Sequence, residues 1–597
     1  MSTHKKHRDS QQKLSIKEKL VLLRKKMKEL KIDAFLVPHN DMYFNEITAP
    51  YYNRLEWVTG FTGSAGFAII FKKSAVIFTD GRYSIQIQKE VNPSFFKIEN
   101  ITKISPFSWL NENIKKNITV GFDPWLHSIN EVETQRQALK KLITLKGVKN
   151  LIDQVWLVKP FENLAKPFLR PSQLSGKSSS KKITQIQHEL NLNIGDGFVL
   201  TCPDSICWLT NMRGHDVPNS PLMNGYAIVH YDHVCIYSTK DMYKNSPIEL
   251  RKNVILKHFN DFFTDVKKLT KVLFEPKTTP FILNKKIAAA GIKSERVSNP
   301  ISLLNAIKNP TELKGSIRSH EKDGVALVRF IKWFKSAKIN QLDEISLVTK
   351  LEKVRKIEPS FYYNSFDTIS ATGSNGAITH YRVSLKSNKQ VNSSDLTLVD
   401  SGGQYLEGTT DVTRTFIKGR PSDEQKFLYT KVLQGLICLS KLRWPTGLTG
   451  RELDPLARHF LWEYCLDYDH GTGHGVGVFS NVHQGPQGIT KLNNVPLKPG
   501  MILSIEPGIY LEGKLGIRLE NLAFVKKHKS GSRQNREYLE FETLTLVPFE
   551  KNLIEKKLLS TDELNWINAY HQNVYKRLSP YLLDSEKSWL REVCKRP

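Results

Sequence analysis

Between Leu396 and Phe416 the order of apolar and polar residues predicts two strands and a turn. Leu396, Thr397, Leu398 and Val399 are apolar and partly β-branched, so they read as a strand that enters a core and delivers Asp400 at its end. Ser401, Gly402 and Gly403 turn the chain. Val412, Arg414 and Phe416 then alternate with Thr413 and Thr415 in a second strand, and hairpin pairing of the two would return Asp411 to the side of Asp400. Further along, Pro499 and Gly500 make a turn before the apolar run Met501 to Ile505, which ends in Glu506 ahead of Pro507 and Gly508. From Gly516 to Val525, Ile517 and Leu519 point to one face while Arg518 and Glu520 point to the other.

Helical spacing dominates the two ends of the chain. Ile16, Leu20, Leu23, Met27 and Leu30 recur at three and four residues behind a capping box of Ser15 and Glu18, as core-packing helices do. Val325, Leu327, Val328, Ile331 and Phe334 predict a helix just after Ile301 to Asn309, where the last large domain begins. The C-terminal stretches WINAYHQNVYKRLSPYL and EKSWLREVCKRP are helical in pattern and read as a cap on that domain.

An internal echo fills the first half. DAFLVP, LEWVTGFTG, GFAIIF and AVIFTDGRY between Asp33 and Tyr83 are followed by DGFVLTCP, ICWLTNMRG, GYAIVHY and VCIYSTKDMY between Asp196 and Tyr243. The shared pattern of strands and turns predicts two copies of one α/β domain about 160 residues apart. LRPSQLSGKSSSKKITQ lies between them and reads as a solvated linker or boundary.

Paired carboxylates repel, so Asp400 and Asp411 either share a proton or hold a cation. His474 lies in HGTGHGVG, where alternate glycines favour an extended or tightly turned backbone over a helix. A single acid at a strand end is most often a solvated turn residue. Four carboxylates and one imidazole at the ends or polar faces of apolar strands, Asp400, Asp411, His474, Glu506 and Glu520, instead suit two divalent ions such as Mn²⁺.

The set DSGGQYLEGTTDVTRTF, HGTGHGVG, SIEPGIY and IRLEN resembles the metal centre of the pita-bread metallopeptidases, and most closely the long Xaa-Pro aminopeptidase family. The likeness runs from about Ser15 to the C-terminus, over nearly the whole chain. The resemblance implies an α/β (α+β) chain: two creatinase-like domains, 1–165 and 166–305, a pita-bread catalytic domain, 306–550, and a helical cap, 551–597. It implies that Asp411 and Glu520 bridge two metal ions, with Asp400 completing one site and His474 with Glu506 the other. By the same resemblance a metal-bridging hydroxide would attack the bond before proline, and Glu506 would shuttle its proton. His380, His470 and His483 correspond to the family's substrate-facing histidines, His483 toward the carbonyl oxygen and the other two toward the proline end. Arg82 in TDGRY matches an arginine that reaches the site from the partner subunit of a homodimer. One departure is visible: the family usually has an acid after the third histidine, whereas this chain has Gln484, which keeps the hydrogen-bonding capacity and loses the charge.

Composition narrows the alternatives. A chain of 597 residues is too long for one core and carries enough apolar residues to fold without staples. Six cysteines without zinc-ribbon or redox spacing point to reduced thiols in a cytosol. The polar N-terminus MSTHKKHRDSQQK lacks the apolar core of a signal peptide, and the chain has no run long enough to span a membrane. The net charge of +28 is spread along the chain without an aromatic-interleaved basic tract, which reads as surface lysine rather than a nucleic-acid patch. Two other functions fit parts of the sequence: a prolidase-type dipeptidase, which shares the ligands but usually lacks the first repeated domain, and a non-enzymatic pita-bread protein that binds histones or RNA, which would typically have lost ligands.

Overall fold

The computed structural model describes residues 14–162, 165–239, 253–529 and 536–596. The N-terminal stretch MSTHKKHRDSQQK and the end of the second repeat, from Lys240 on, lie outside them. The chain divides into two compact units: the first gathers residues through Leu169, Lys177–Pro218 and Leu222–Ile301, and the second gathers Arg170–Gly176, Asn219–Pro221 and the rest from Ser302.

In the first unit, strands β1 (Ala34–Pro38), β2 (Phe67–Phe71), β3 (Ala75–Thr79), β4 (Lys97–Asn100), β5 (Ile118–Phe122) and β6 (Ile143–Gly147) form a sheet in the order 4-3-2-1-5-6. Strands β7 (Asp196–Leu200), β8 (Tyr226–His230), β9 (Val234–Ser238), β10 (Val254–His258), β11 (Lys271–Phe274) and β12 (Lys293–Arg296) repeat it in the order 10-9-8-7-11-12. In each, the founding strand is antiparallel to one neighbour and parallel to the other. The fold therefore repeats as the sequence echo does. Strands β1, β3, β7 and β9 are buried at every residue, which explains why they read as apolar runs rather than alternations.

Two details differ from the reading of alternating strands and turns. LEWVTG and ICWLTN fall in short helices, Arg54–Thr59 and Pro203–Thr210, each closed by a left-handed residue, Gly60 at φ 81° and Asn211 at φ 58°. The serine-rich stretch, read as a solvated linker or boundary, is a boundary with structure of its own: a division between the two units falls within it, between Gly176 and Lys177. Arg170 and Ser175 are buried, and Ser178 caps a helix, Ser179–Glu189, that buries Ile183 and Ile186. Serine supplied the cap, and Ile183 and Ile186, three residues apart on one helix face, supplied the packing. The N-terminal helix, Ile16–Glu29, has the Ser15–Glu18 capping box and buries Leu20, Leu23 and Met27.

After the short helix Pro300–Ala306, the second unit continues with a long helix, Pro310–Ser336, capped by Asn309 and Glu312. Strands β13 (Ile369–Thr372), β14 (Leu396–Ser401) and β15 (Val412–Ile417) form an antiparallel sheet with β14 in the middle. Strands β16 (Ile502–Ile505) and β17 (Asn521–Lys527) pair antiparallel, and β18 (Tyr538–Thr543) extends that sheet. Two C-terminal helices, Thr561–Leu578 and Asp584–Val593, close over the core through Ile567, Val574, Leu578 and Leu590. Buried Arg414 ties the layers together: it donates to Glu520 O at 2.6 Å, Asn521 Oδ1 at 2.8 Å, Val547 O at 2.7 Å and Tyr570 Oη at 2.9 Å. No described helix is long and apolar enough to cross a membrane.

Candidate metal centre

Pairing of β14 with β15 sets Asp400 opposite Thr413 and Ser401 opposite Val412. Asp411 lies two residues before Thr413, so the two-residue period of a strand directs it to the face that carries Asp400. The turn between them is longer than a hairpin, because Gly403–Tyr405 and Gly408–Thr409 form their own small ladder before the chain returns.

Glu506 and Glu520 enter from the other sheet. Ile505 pairs with Asn521, and beyond them Gly508 pairs with Arg518 in a second hairpin, Gly508–Leu511 with Leu515–Arg518. Both glutamates occupy the break between the two ladders: Glu506 follows the end of β16 as the apolar run indicated, whereas Glu520 lies just outside a strand rather than within one as the alternation from Gly516 to Val525 suggested. Freed from each other, their amides bond elsewhere: Glu506 N donates to Thr472 O at 2.8 Å and Glu520 N to Thr413 O at 3.1 Å. These bonds join both sheets at the site.

His474 sits in a two-residue strand, Gly473–His474, pressed against β16. A Cβ on Gly473 would stand 1.9 Å from Ser504 O, and one on Gly475 would stand 2.1 Å from Gln484 O, so only glycine permits the approach. Ser504 Oγ accepts from His474 N at 2.9 Å and donates to Glu506 Oε1 at 3.1 Å, linking the histidine segment to the glutamate.

The electrostatics of the cluster call for a cation. His474 Nδ1 faces Gly475 O at 3.0 Å, and since a carbonyl only accepts, Nδ1 carries a proton and Nε2 is the nitrogen turned to the acids. Nε2 lies 3.5 Å from both Asp411 Oδ2 and Glu506 Oε1, so the ring and two acids converge on one point. Asp411, His474 and Glu520 each offer a donor atom within 4.8 Å of the others. Asp400 Oδ1, Asp411 Oδ1 and Glu520 Oε1 are buried without a hydrogen-bond partner among the described residues. Burial, together with the charges of Asp400 and Glu506, pushes the Asp411 carboxyl well above the usual carboxylate range. Burial and the charges of Asp411 and Asp400 do the same to Glu520. Oxygen donors with one imidazole nitrogen suit hard or borderline divalent ions, and the orphaned oxygens are the atoms such ions would satisfy.

Arg518 and Tyr510 were not singled out by sequence. Arg518 is buried and donates from Nη2 to Asp400 Oδ2 at 2.6 Å, from Nη1 to Tyr510 Oη at 2.6 Å and from Nε to Thr413 Oγ1 at 3.2 Å. Its spacing two residues before Glu520, on the same strand face, was the available signal. Tyr510, whose hydroxyl burial pushes up to about 12, lies 2.8 Å from His470 Nε2. His470 Nδ1 faces Gly471 O at 2.8 Å and so carries the proton, which makes Tyr510 the donor to Nε2. An unbroken relay thus runs from Asp400 through Arg518 and Tyr510 to His470.

The other expected residues are placed as follows. The His483 ring packs edge-on against His474 with centroids 4.3 Å apart. Buried Gln484 accepts from Lys308 Nζ, and that lysine also donates to Asn305 O at 2.6 Å. His380 is half-buried next to Thr379, whose carbonyl accepts from Arg518 Nη1 at 3.3 Å. Arg82 belongs to the first unit, where it grips Asp80 through Nη2 at 2.7 Å and Nε at 3.0 Å.

Comparison with known proteins agrees with this architecture. The model of metallopeptidase family M24 matches residues 316–527, and the C-terminal region of peptidase M24 matches 537–596. The creatinase/prolidase N-terminal domain matches twice, over 19–158 and 158–312. A probable Xaa-Pro aminopeptidase P of Aspergillus niger is 38% identical over 96% of this chain and 98% of its own length. One of Paracoccidioides brasiliensis is 37% identical over 96% of this chain and 98% of its own. The crystal structure of X-prolyl aminopeptidase from Caenorhabditis elegans, described as a cytosolic enzyme with a di-nuclear active site, superposes with a TM-score of 0.92 at 30% identity, covering 98% of this chain and all of that one. With two creatinase-type domains ahead of an M24 domain whose acids and histidine converge on one point, the chain belongs to the Xaa-Pro aminopeptidase P family of M24 metallopeptidases.

Proposed function

We propose that this protein is a metal-dependent aminopeptidase that hydrolyses the bond between an N-terminal residue and a following proline. The observation that carries the reading is the convergence of His474 Nε2 with the Asp411 and Glu506 carboxyl groups, beside three buried oxygens that lack partners among the described residues. Asp400, Asp411, His474, Glu506 and Glu520 would hold two divalent ions, Mn²⁺ in our reading. When bound, such ions polarise the scissile carbonyl and acidify the attacking water.

The chain's own residues do the rest. The Glu506 side chain is 18% exposed against 5% for Asp411, so it is the more open acid, placed to take the proton of the attacking water. His483 borders the same space and would donate to the carbonyl oxygen as negative charge builds there. An Xaa-Pro amide has no N–H, and its nitrogen must gain a proton before it departs. His380 and His470 would line the proline end; both nitrogens of His470 are engaged, so it offers a fixed ring surface. Arg82 would reach substrate from the partner subunit of a homodimer, and a cytosolic setting, as for the worm enzyme, completes the reading.

Turnover of Arg-Pro-Pro and of Gly-Pro by the Mn²⁺-loaded protein, with a chelated control, tests the proposal. Cleavage of the tripeptide that disappears on chelation is expected. Turnover of Gly-Pro alone would make the protein a dipeptidase, and no turnover with the ions bound would make it a binding protein.

A further inference from the structure

A second group of metal-ligating side chains lies in the first unit, in the hairpin of β8 and β9. Val229 pairs with Val234, and His230 N donates to His233 O at 2.8 Å, so a two-residue turn, Tyr231–Asp232, sets the two histidines opposite each other. Cys235 pairs with Ile228, two residues from His230, just as Cys235 is two residues from His233. Directly opposed residues and those two apart share a sheet face, so hairpin geometry alone puts His230, His233 and Cys235 on one side. The side chains confirm it. The imidazoles stack with centroids 4.4 Å apart at 15°, and two nitrogens and the sulfur lie within 4.8 Å of one another.

The surroundings favour metal ligation. Asp232 Oδ1 lies 2.6 Å from His233 Nδ1; a carboxylate holds the proton there and leaves the Nε2 lone pair outward, the arrangement that orients metal-binding histidines. Burial pushes the Cys235 thiol up, and Lys257 beside it works the other way by favouring the thiolate; that lysine is itself held by Asp265, whose Oδ2 it meets at 2.6 Å. Zinc–sulfur and zinc–nitrogen bonds of about 2.3 and 2.0 Å separate the ligand atoms of a tetrahedral ion by roughly 3.3–3.8 Å, so modest side-chain rotations would close the site.

We propose that His230, His233 and Cys235 form a second metal site that takes one Zn²⁺, with its fourth position left to water. Its two nitrogens and one sulfur contrast with the oxygen-rich centre of the second unit, so the chain sorts ions by donor type: the thiolate site selects zinc, and the carboxylate site accepts Mn²⁺. As the sulfur–zinc bond forms, the Cys235 thiol proton passes to solvent. The site stands independently of the peptidase reading.

The full-length protein, loaded with Mn²⁺ and then given one equivalent of Zn²⁺, is dialysed and its metals counted. Wild type should retain about one more zinc than Cys235→Ser, with manganese equal in both. His233→Gln, a change at a partly exposed position, should lose the same zinc and guards against misfolding of the buried-cysteine variant. With Co²⁺ in place of Zn²⁺, wild type should show a thiolate-to-cobalt charge-transfer band that Cys235→Ser lacks; the second unit's centre contains no sulfur and cannot supply one. Equal zinc in wild type and both variants, or a cobalt spectrum without a thiolate band, overturns the proposal.

Discussion

Stripping the metal should make the protein lose stability as pH rises. In the metal-free site, burial and the neighbouring charges of Asp400 and Glu506 raise the Asp411 and Glu520 carboxyls far above their unfolded values of 3.8 and 4.5. The folded chain then binds protons that the unfolded chain has released. Such a contribution is fully present below the unfolded values and is lost as pH climbs through the folded ones. Each retained proton is worth about 1.4 kcal/mol per pH unit over the range between the unfolded and the folded values. Saturating Mn²⁺ should remove this slope, because bound ions keep the carboxylates deprotonated and metal uptake releases protons. The assay is calorimetric unfolding of the metal-stripped protein across that range, for wild type and Asp411→Asn. Two units need not unfold together, so the quantity read is the difference between the two proteins in the transition that responds to metal. Identical slopes for stripped wild type and Asp411→Asn would refute the argument.

Asp411→Asn should also abolish peptidase activity and lower metal content while the first unit keeps its fold; two ions per chain in an active variant would sink the ligand assignment. Arg518→Met removes the cation paired with buried Asp400 and should destabilise the metal-free second unit by about 3–5 kcal/mol, as read by denaturant unfolding, with Arg518→Lys recovering part of the loss. His483→Ala should lose mainly kcat, whereas His470→Ala should raise KM more than it lowers kcat, since a fixed ring contributes to ground and transition states alike; the opposite split in steady-state kinetics would exchange their roles. Arg82→Ala should raise KM without changing metal content, and mixing it with Asp411→Asn should restore some activity in mixed dimers; a strictly monomeric active enzyme in sedimentation would remove the exchange between subunits.

The sequence by itself determined the buried strands, the capped terminal helix and the five candidate ligands, because strand periodicity and turn residues act locally, though it missed the short helices Arg54–Thr59 and Pro203–Thr210. Leu396 to Val399 had to be a buried strand, and an acid at its end had to lie at the rim of a core. The repeat was legible for the same reason: equal apolar runs build equal sheets, and the two six-stranded orders match. Only the tertiary structure decided which side chains meet. Glu506 and Glu520 looked like a strand end and a strand face, yet both occupy a break between two ladders, which depends on Gly508 pairing with Arg518 across a hairpin. Arg518 read as an ordinary polar-face residue, and its role arises from Asp400, 118 positions away. The serine-rich stretch before Ile183 suggested solvent, but its helix finds an apolar partner that no local pattern reveals. His230, His233 and Cys235 escaped a search for cysteine pairs because their common face is created by the register of a hairpin. Local spacing fixes which face a residue occupies; long-range packing fixes what it faces, and charge, burial and ligation belong to that second step.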